Sequence, residues 1–102
     1  MAKIKIEWTH FAKKQRDEIF DYWNNRNKSN SYSKKLRIII KEKTNQLKLQ
    51  PFSGVQTIDE NTRILVLKNY SLIYNIEKDT ISIISFWENH QNPETLKTIL
   101  GL

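Results

Sequence analysis

The stretch from Thr62 to Trp87 constrains the fold more than any other part of the chain. It holds three apolar runs, at about 62–67, 70–76 and 81–87. The first two are linked by Lys68-Asn69, and the last two by Glu77-Lys78-Asp79 followed by Thr80. A parallel return between strands needs a long crossover, whereas linkers this short permit only antiparallel hairpins. The sequence therefore predicts three consecutive antiparallel strands.

Polar residues follow the third run directly. They are Glu88, Asn89, His90 and Gln91. If the run is a strand, these side chains come to one edge of the sheet. A rigid sheet edge that presents polar groups is a candidate site for catalysis or recognition.

The first half of the chain predicts one strand and two helices. Residues 3–8 alternate polar and apolar side chains with period two, which is typical of a half-buried strand. Thr9 can cap an amphipathic helix of about four turns. The polar stretch 24–31 reads as a connector, and a second helix is expected from near Ser31 to about Leu49. A short link of this kind favours an antiparallel helical hairpin.

The remaining segments complete the predicted order β-α-α-β-β-β-α. Pro51 and Gly54 are expected to end the second helix, with Gly54 supplying a positive φ. Residues 56–61 are expected to form a loop, and residues 92–101, with Pro93 at the first position, a short C-terminal helix. The predicted fold is α+β in two layers, a four-stranded, mostly antiparallel sheet packed against an N-terminal helical hairpin. We expect a single domain over 1–102.

Period-two spacing assigns the strand residues to faces. On the second strand of the series, one face carries Tyr70, Leu72, Tyr74 and Ile76. On the third strand, one face carries Ile81, Ile83, Ser85 and Trp87. The aromatic residues among them could stack nucleic-acid bases. The alternating spacing fits core packing better.

Charge is distributed unevenly along the chain. Residues 1–50 hold 13 Lys and Arg against 5 Asp and Glu, a net +8, whereas residues 51–102 hold 4 against 6, a net −2. Much of the excess lies on the second helix, where the candidate phosphate-binding residues are Lys34, Lys35, Arg37 and Lys41. Such a face attracts phosphate or an acidic protein. The alternative is an ordinary solvated helix face.

Several classes of function are disfavoured by composition. The chain has no cysteine, which disfavours a disulfide framework or a thiolate metal site and suits a cytoplasmic location. Two widely separated histidines make a poor ligand set, so we expect no metal and no cofactor. The N-terminus has no secretory h-region, and the apolar runs are too short to span a bilayer.

Taken together, these residues resemble the RelE/ParE family of toxins from bacterial type II toxin–antitoxin modules. The similarity covers nearly the whole chain. Its elements are Ile6-Glu7-Trp8-Thr9, the basic helix that contains Tyr32 to Leu36, Pro51-Phe52-Ser53-Gly54, the run from Thr62 to Tyr74, and the run from Ser85 to Pro93. The resemblance implies a partner antitoxin that drapes over the toxin and silences it. We expect that partner to be acidic or amphipathic and to fold as it binds.

The resemblance leaves two mechanisms open. RelE-like members cut mRNA on the ribosome, whereas ParE-like members poison DNA gyrase. RelE-like ribonucleases commonly carry an Arg where this chain has Ser71, and RelE itself has a C-terminal Tyr that is missing from residues 93–102. RelE also has two lysines on the strand before this one. At the matching positions this chain has Arg63 and Leu65. His90 lies where several family ribonucleases have a catalytic His or Arg.

Metal-independent RNA cleavage requires a base, an acid and cations that stabilise the charge on phosphorus. His90 could act as acid or base, and Arg63 could bind the phosphate through two parallel hydrogen bonds. Lys68, Asn89 and Gln91 could add contacts to the nucleic acid. Each of these three residues also has a purely structural interpretation. His90 would be a polar residue of a turn, and Lys68 a solvated turn residue. Arg63 would be a strand-end residue paired with an acid such as Glu88.

Three interpretations therefore follow from the sequence. The first is a toxin that cleaves mRNA, as an endoribonuclease acting on the ribosome. The second is a non-hydrolytic poison of DNA gyrase. The third is a catalytically inactive binding domain of the same fold. In each case the expected partner is a cognate antitoxin, and no membrane partner is expected.

Overall fold

A computed structural model describes residues 3–57, 59–67 and 69–88 of the protein. Two helices and five strands follow one another in the order β-α-α-β-β-β-β. They are β1 (Lys5–Trp8), α1 (His10–Asn27), α2 (Ser31–Leu49), β2 (Val55–Gln56), β3 (Thr62–Leu67), β4 (Tyr70–Glu77) and β5 (Thr80–Glu88). The helix predicted over residues 92–101 lies outside the described residues.

All five strands belong to one sheet, in the order β1-β5-β4-β3-β2. β1 runs parallel to β5, and the other neighbours are antiparallel. The parallel strands β1 and β5 need a long connection between them. The helical hairpin begins this connection, because it carries the chain from β1 at one edge of the sheet to β2 at the other. α1 packs on β5, while α2 packs on β1 and β3. The predicted two-layer α+β fold is confirmed.

The sheet has one strand more than expected. Val55 and Gln56, the second of which was assigned to a loop, pair with Ile64 and Arg63 as the edge strand β2. A two-residue strand has no alternation that could reveal it. Its register depends on the following turn, where Asp59 accepts hydrogen bonds from Asn61 N–H and from the Thr62 hydroxyl, both at 3.0 Å.

The helical hairpin is tighter than predicted. Thr9 caps α1 as expected, since its hydroxyl accepts the Ala12 N–H at 3.1 Å. The helix continues through the polar residues 24–27, so only residues 28–30 connect the two helices. Lys28 ends α1 in the left-handed conformation, with φ 53°. The backbone N–H of Lys28 then reaches the Asn24 carbonyl, which satisfies one of the last acceptors of the helix.

The core lies between the sheet and the hairpin. The face assigned to β4 is confirmed, because Tyr70, Leu72 and Tyr74 belong to one apolar cluster with residues of both helices, and Ile76 packs against it. Ile73 is equally buried but is not part of this cluster. The helix residues of the cluster are Ala12, Phe20, Leu36, Ile40 and Leu47. Burial of these side chains supplies the main driving force for this arrangement.

The face assigned to β5 is wrong in its second half. Ile73 pairs with Ser85, but Tyr74 pairs with Ile83, so Ile84 is an extra residue in β5. This β-bulge shifts the alternation by one residue. Phe86 therefore joins Leu72 on the face toward the helices, while Ser85 and Trp87 lie on the opposite face with Ile73 and Ser71.

Candidate functional site

Arg63 lies near the start of β3, and its side chain is directed at the turn between α2 and β2. One terminal nitrogen, Nη1, donates to the carbonyl of Gly54 at 2.8 Å and to that of Phe52 at 3.2 Å. The guanidinium carbon also lies 5.0 Å from the centre of the Phe52 ring. One terminal nitrogen of Arg63 therefore helps to hold this turn, whereas its Nε is buried without a hydrogen-bond partner among the described residues.

Tyr74 also binds the turn between α2 and β2. Its hydroxyl donates to the Pro51 carbonyl at 2.8 Å and accepts the Gly54 N–H at 3.0 Å. Gly54 is needed for space, because a Cβ there would lie 2.6 Å from the Tyr74 hydroxyl and 2.8 Å from the Ile64 carbonyl oxygen. The φ of Gly54 is not in the left-handed range, so the expected reason for this glycine was wrong.

The strand register does not bring Arg63 toward the end of β5. Arg63 pairs with Tyr74, whereas Glu88 pairs with Tyr70 at the other end of β4. Four residues of strand and two strand spacings separate the two positions, which is about 13 Å along the strands and about 10 Å across them. The suggested ion pair between Arg63 and Glu88 is therefore wrong.

Four of the other candidates for nucleic-acid chemistry lie outside the described residues. They are Lys68, Asn89, His90 and Gln91. Ser71, at the position of the ribonuclease Arg, is 4% exposed and lies opposite Val66 and Trp87. It belongs to the sheet face turned away from the helices.

The basic face of α2 is present as expected. Its exposed members are Lys34, Lys35, Arg37 and Lys41. The Arg37 guanidinium lies over the Phe20 ring, with its carbon 4.3 Å from the ring centre, so its aliphatic stem covers part of the core. Within the described parts of the chain, the one salt bridge is between Arg16 and Asp17 on α1.

A groove that the sequence did not reveal lies between α1 and β5. It encloses about 460 Å³, and its lining includes Ile19, Trp23 and Phe86, with Glu18, Arg26 and Glu88 as charged members. Tyr22 also lines it, and Arg26 Nη1 donates to the Tyr22 hydroxyl at 2.9 Å. The signal available in the sequence was Tyr22 and Arg26 four residues apart, one turn of helix, beside the apolar stripe of α1.

Two residues of the groove lining, Trp23 and Phe86, contact a network of aromatic residues around Tyr70. Trp23 Nε1 donates to the Tyr70 hydroxyl at 3.0 Å, and the Tyr32 hydroxyl lies 3.2 Å from the same oxygen. Phe86 stacks on Tyr70, with ring centres 5.2 Å apart. Burial, followed by the hydrogen bond with Tyr32, raises the pKa of Tyr70 far above its usual range. Tyr70 therefore stays protonated at neutral pH and fixes α1, α2 and β4 to one another.

Gln15 closes the groove on the side of β5. β1 pairs only with residues 80–83, so within the described residues no strand lies beside the second half of β5 on that edge. The Gln15 amide oxygen accepts the Phe86 N–H and the Ser85 hydroxyl, both at 2.9 Å. One α1 side chain thus replaces a strand partner at this edge.

The described part of the chain adds two negative findings. Residues 3–57, 59–67 and 69–88 contain no group of three His, Cys, Asp or Glu side chains placed to hold a metal ion. Neither helix in these ranges is long and apolar enough to span a membrane.

Comparisons with known proteins agree with the fold and the resemblance. The family model described as "ParE toxin of type II toxin-antitoxin system, parDE" matches residues 6–93. A solved structure of the chromosomal ParDE toxin–antitoxin system from P. aeruginosa contains a similar chain. The TM-score is 0.68 at 20% sequence identity, over 84% of this chain and 96% of that one. At that identity the structural likeness shows the fold alone. No match was found among curated proteins.

The match of the family model covers both helices, β2 to β5 and all of β1 except Lys5. It therefore rests on most of the sequence and not on a single motif. The chain belongs to the ParE toxin family of type II toxin–antitoxin systems.

Proposed function

We propose that this toxin arrests growth by poisoning DNA gyrase and does not hydrolyse nucleic acid. Gyrase is the target that the ParE-like branch of the resemblance implies, and the family model that matches is that of ParE. The mRNA-cleaving mechanism, placed first on the sequence alone, becomes the competing outcome of the test below.

The position of Arg63 is the observation that carries this proposal. A ribonuclease of the RelE type needs cations free to bind phosphorus-centred charge. The Nη1 of Arg63 is occupied by two carbonyl groups, and its strand position lies far from the end of β5 that precedes His90. Ser71 supplies no charge at the position where ribonucleases carry an Arg.

Neither of the two buried tyrosines, Tyr70 and Tyr74, supplies a replacement base. Burial is the main cause that raises the pKa of both Tyr70 and Tyr74. At neutral pH both hydroxyls keep their protons and make structural hydrogen bonds. A general base needs a pKa near the working pH, which neither group has.

The direct test is a comparison of two reactions of the purified toxin. We expect it to inhibit DNA supercoiling by gyrase and to leave mRNA intact on translating ribosomes. In cells without the antitoxin, we expect filamentation and a DNA-damage response while mRNA remains uncut. Rapid cleavage of mRNA after induction would contradict the proposal, and loss of that cleavage in His90→Ala would restore the nuclease interpretation.

The Arg63→Ala variant separates the two mechanisms further. A structural Arg63 predicts lower stability, since the carbonyls of Phe52 and Gly54 lose their donor, and no mRNA cleavage by either the wild type or the variant. A phosphate-binding Arg63 predicts a folded protein with abolished cleavage. Residual activity should therefore be normalised to the folded fraction, measured by circular dichroism in the same samples.

Membership of the family implies a cognate antitoxin, and we infer that its docking site is the groove between α1 and β5. The groove offers an apolar base with charged residues beside it, which suits an amphipathic segment. The Tyr22→Ala and Arg26→Ala variants should weaken antitoxin binding, whereas Lys13→Ala on the exposed side of α1 should not. Crosslinks confined to residues 52–61 would contradict this placement.

The basic face of α2 is proposed to contribute long-range attraction. Lys34, Lys35 and Lys41 are exposed, and the opposite charge would come from an acidic antitoxin or from DNA held by the target. Replacing the three by Gln should slow association and flatten its dependence on salt concentration. An unchanged association rate would make this face an ordinary solvated surface.

A further inference from the structure

Large apolar side chains are exposed where α2 turns into β2. Leu49 is 85% exposed, Phe52 is 66% exposed and Val55 is 71% exposed. The three lie within seven residues of sequence, which we call the 49–55 corner. A single exposed apolar residue needs no explanation, but a cluster of large ones marks an interaction surface.

The corner is held in place by buried groups. Tyr74 binds the Pro51 carbonyl and the Gly54 N–H, and Arg63 binds the carbonyls of Phe52 and Gly54. Ser53 N–H adds a bond to the Gln50 carbonyl at 3.0 Å. These contacts fix the Phe52 backbone, so the exposure of its ring is a property of an ordered turn. An aromatic ring held in this way loses little conformational entropy when a partner covers it.

The charged groups nearest Leu49 and Phe52 are cations. Lys48 directly precedes Leu49, and the Arg63 guanidinium carbon lies 5.0 Å from the centre of the Phe52 ring. Residues 49–55 contain no Asp or Glu, and the nearest acidic residues in the sequence are Glu42, Asp59 and Glu60. The complementary surface is an apolar pocket bordered by carboxylates, because such a pocket receives the ring while its rim attracts the surrounding cations.

The corner and the groove between α1 and β5 lie toward different edges of the molecule. The corner leads into β2 at one edge of the sheet, whereas the groove lies beside β5, next to β1 at the other edge. Two partners can therefore contact the two surfaces independently.

From these observations we propose that the 49–55 corner is the surface through which the toxin binds its protein target. Phe52 and Leu49 enter an apolar pocket with an acidic rim on that target. The identity of the target rests on the proposed function, whereas the location of the surface rests on the exposed side chains and their anchoring. The antitoxin is the competing occupant.

Two corner variants and one matched control test the proposal. Phe52→Ser and Leu49→Ser remove apolar surface and leave the hydrogen-bonding groups of Tyr74 and Arg63 in place. Phe52→Ser also removes the ring beside the Arg63 guanidinium, so Leu49→Ser is the variant that alters no anchor contact. The control is Phe11→Ser, because Phe11 is the same residue type, is 59% exposed and lies at the start of α1. Each variant is assayed for growth arrest in cells, for inhibition of gyrase, and for antitoxin binding, and its thermal midpoint verifies folding.

We expect each corner variant to lose about tenfold or more in potency of growth arrest and of gyrase inhibition, as for a central interface residue. Antitoxin binding should stay within about twofold of wild type, since the groove is untouched. The Phe11→Ser variant should keep both properties. Folded corner variants that arrest growth as strongly as wild type would overturn the proposal. Loss of antitoxin binding by the corner variants would overturn it in favour of the antitoxin as occupant.

The same experiment separates this inference from the proposed function. If wild-type toxin does not inhibit gyrase but the corner variants still relieve growth arrest, the gyrase target is wrong and the corner remains the target surface. If wild-type toxin inhibits gyrase and the corner variants inhibit equally well, the proposed function stands and the corner assignment is wrong.

Discussion

The side-chain oxygen of Gln15 lies 2.9 Å from the backbone nitrogen of Phe86 and accepts its hydrogen bond. The two residues are 71 positions apart, yet this contact gives β5 the edge partner that β1 does not provide. A buried N–H without an acceptor is costly, so this contact stabilises the junction of helix and sheet.

Gln15→Ala should lower the free energy of unfolding by about 1–2 kcal/mol, because it leaves the Phe86 N–H without its acceptor. Urea denaturation measures the loss, and hydrogen exchange at the Phe86 amide should become faster. Lys14→Ala, one position earlier on the exposed side of α1, is the control and should change neither quantity. Unchanged exchange at Phe86 in the Gln15 variant would show that this contact contributes nothing in solution.

Tyr74→Phe should also destabilise the protein by about 1–2 kcal/mol, since the Gly54 N–H and the Pro51 carbonyl lose their shared partner. The ring remains, so the core keeps its volume and the effect reports the hydroxyl alone. Denaturant midpoints give the measurement. Tyr22→Phe, at a half-exposed ring, serves as the control and should cost less.

Gly54→Ala should cost about 1–3 kcal/mol, because the new Cβ meets the Tyr74 hydroxyl at 2.6 Å and the Ile64 carbonyl at 2.8 Å. Combining it with Tyr74→Phe removes the first of these contacts and leaves the second. The double variant should therefore be more stable than the sum of the two single effects predicts. Strict additivity would contradict the described packing.

Stability should fall steeply above about pH 10, the ordinary pKa of tyrosine. Burial raises the pKa of Tyr70 and Tyr74, so the folded chain keeps both protons at a pH where the unfolded chain has lost them. Each group then lowers the free energy of unfolding by about 1.4 kcal/mol per pH unit, and neither acts below that range. Thermal melts between neutral and alkaline pH measure the slope. Tyr70→Phe should reduce it.

Lys28→Gly should stabilise the protein by roughly 1 kcal/mol. Lys28 ends α1 at φ 53°, a conformation that glycine adopts without steric cost. The mutation changes no buried contact, because Lys28 is exposed. The measurement is the denaturant midpoint, and Lys28→Ala is the comparison because it keeps the Cβ and should give little or no gain.

Local patterns in the sequence predicted most of the elements, but not the features that depend on distant pairing. The alternation in β1, the cap at Thr9 and the buried face of β4 were all readable. The bulge at Ile84 was missed although the alternation breaks there: Ile83 and Ile84 are consecutive apolar residues, and strict period two placed the polar Ser85 on the core face. β2 was missed because two residues carry no period, and its register depends on the turn at Asp59.

The candidate site was harder to predict for a related reason. The sequence predicted that Arg63 is a cation on a strand. Its role depends on the carbonyl groups that lie near it, and these belong to a turn nine to eleven residues earlier in the chain. The groove was missed because its two walls, Trp23 and Phe86, are 63 residues apart. Periodicity assigns such residues to a core without showing which of them border a cavity.

The pairing of the first strand with the last described one affects how the toxin is made. Within the described residues β1 pairs only with β5, so the first strand of a growing chain cannot join the sheet until residues 80–83 have been synthesised. Contacts this distant in sequence also slow folding. The surfaces of the folded toxin can therefore form only after these residues have left the ribosome.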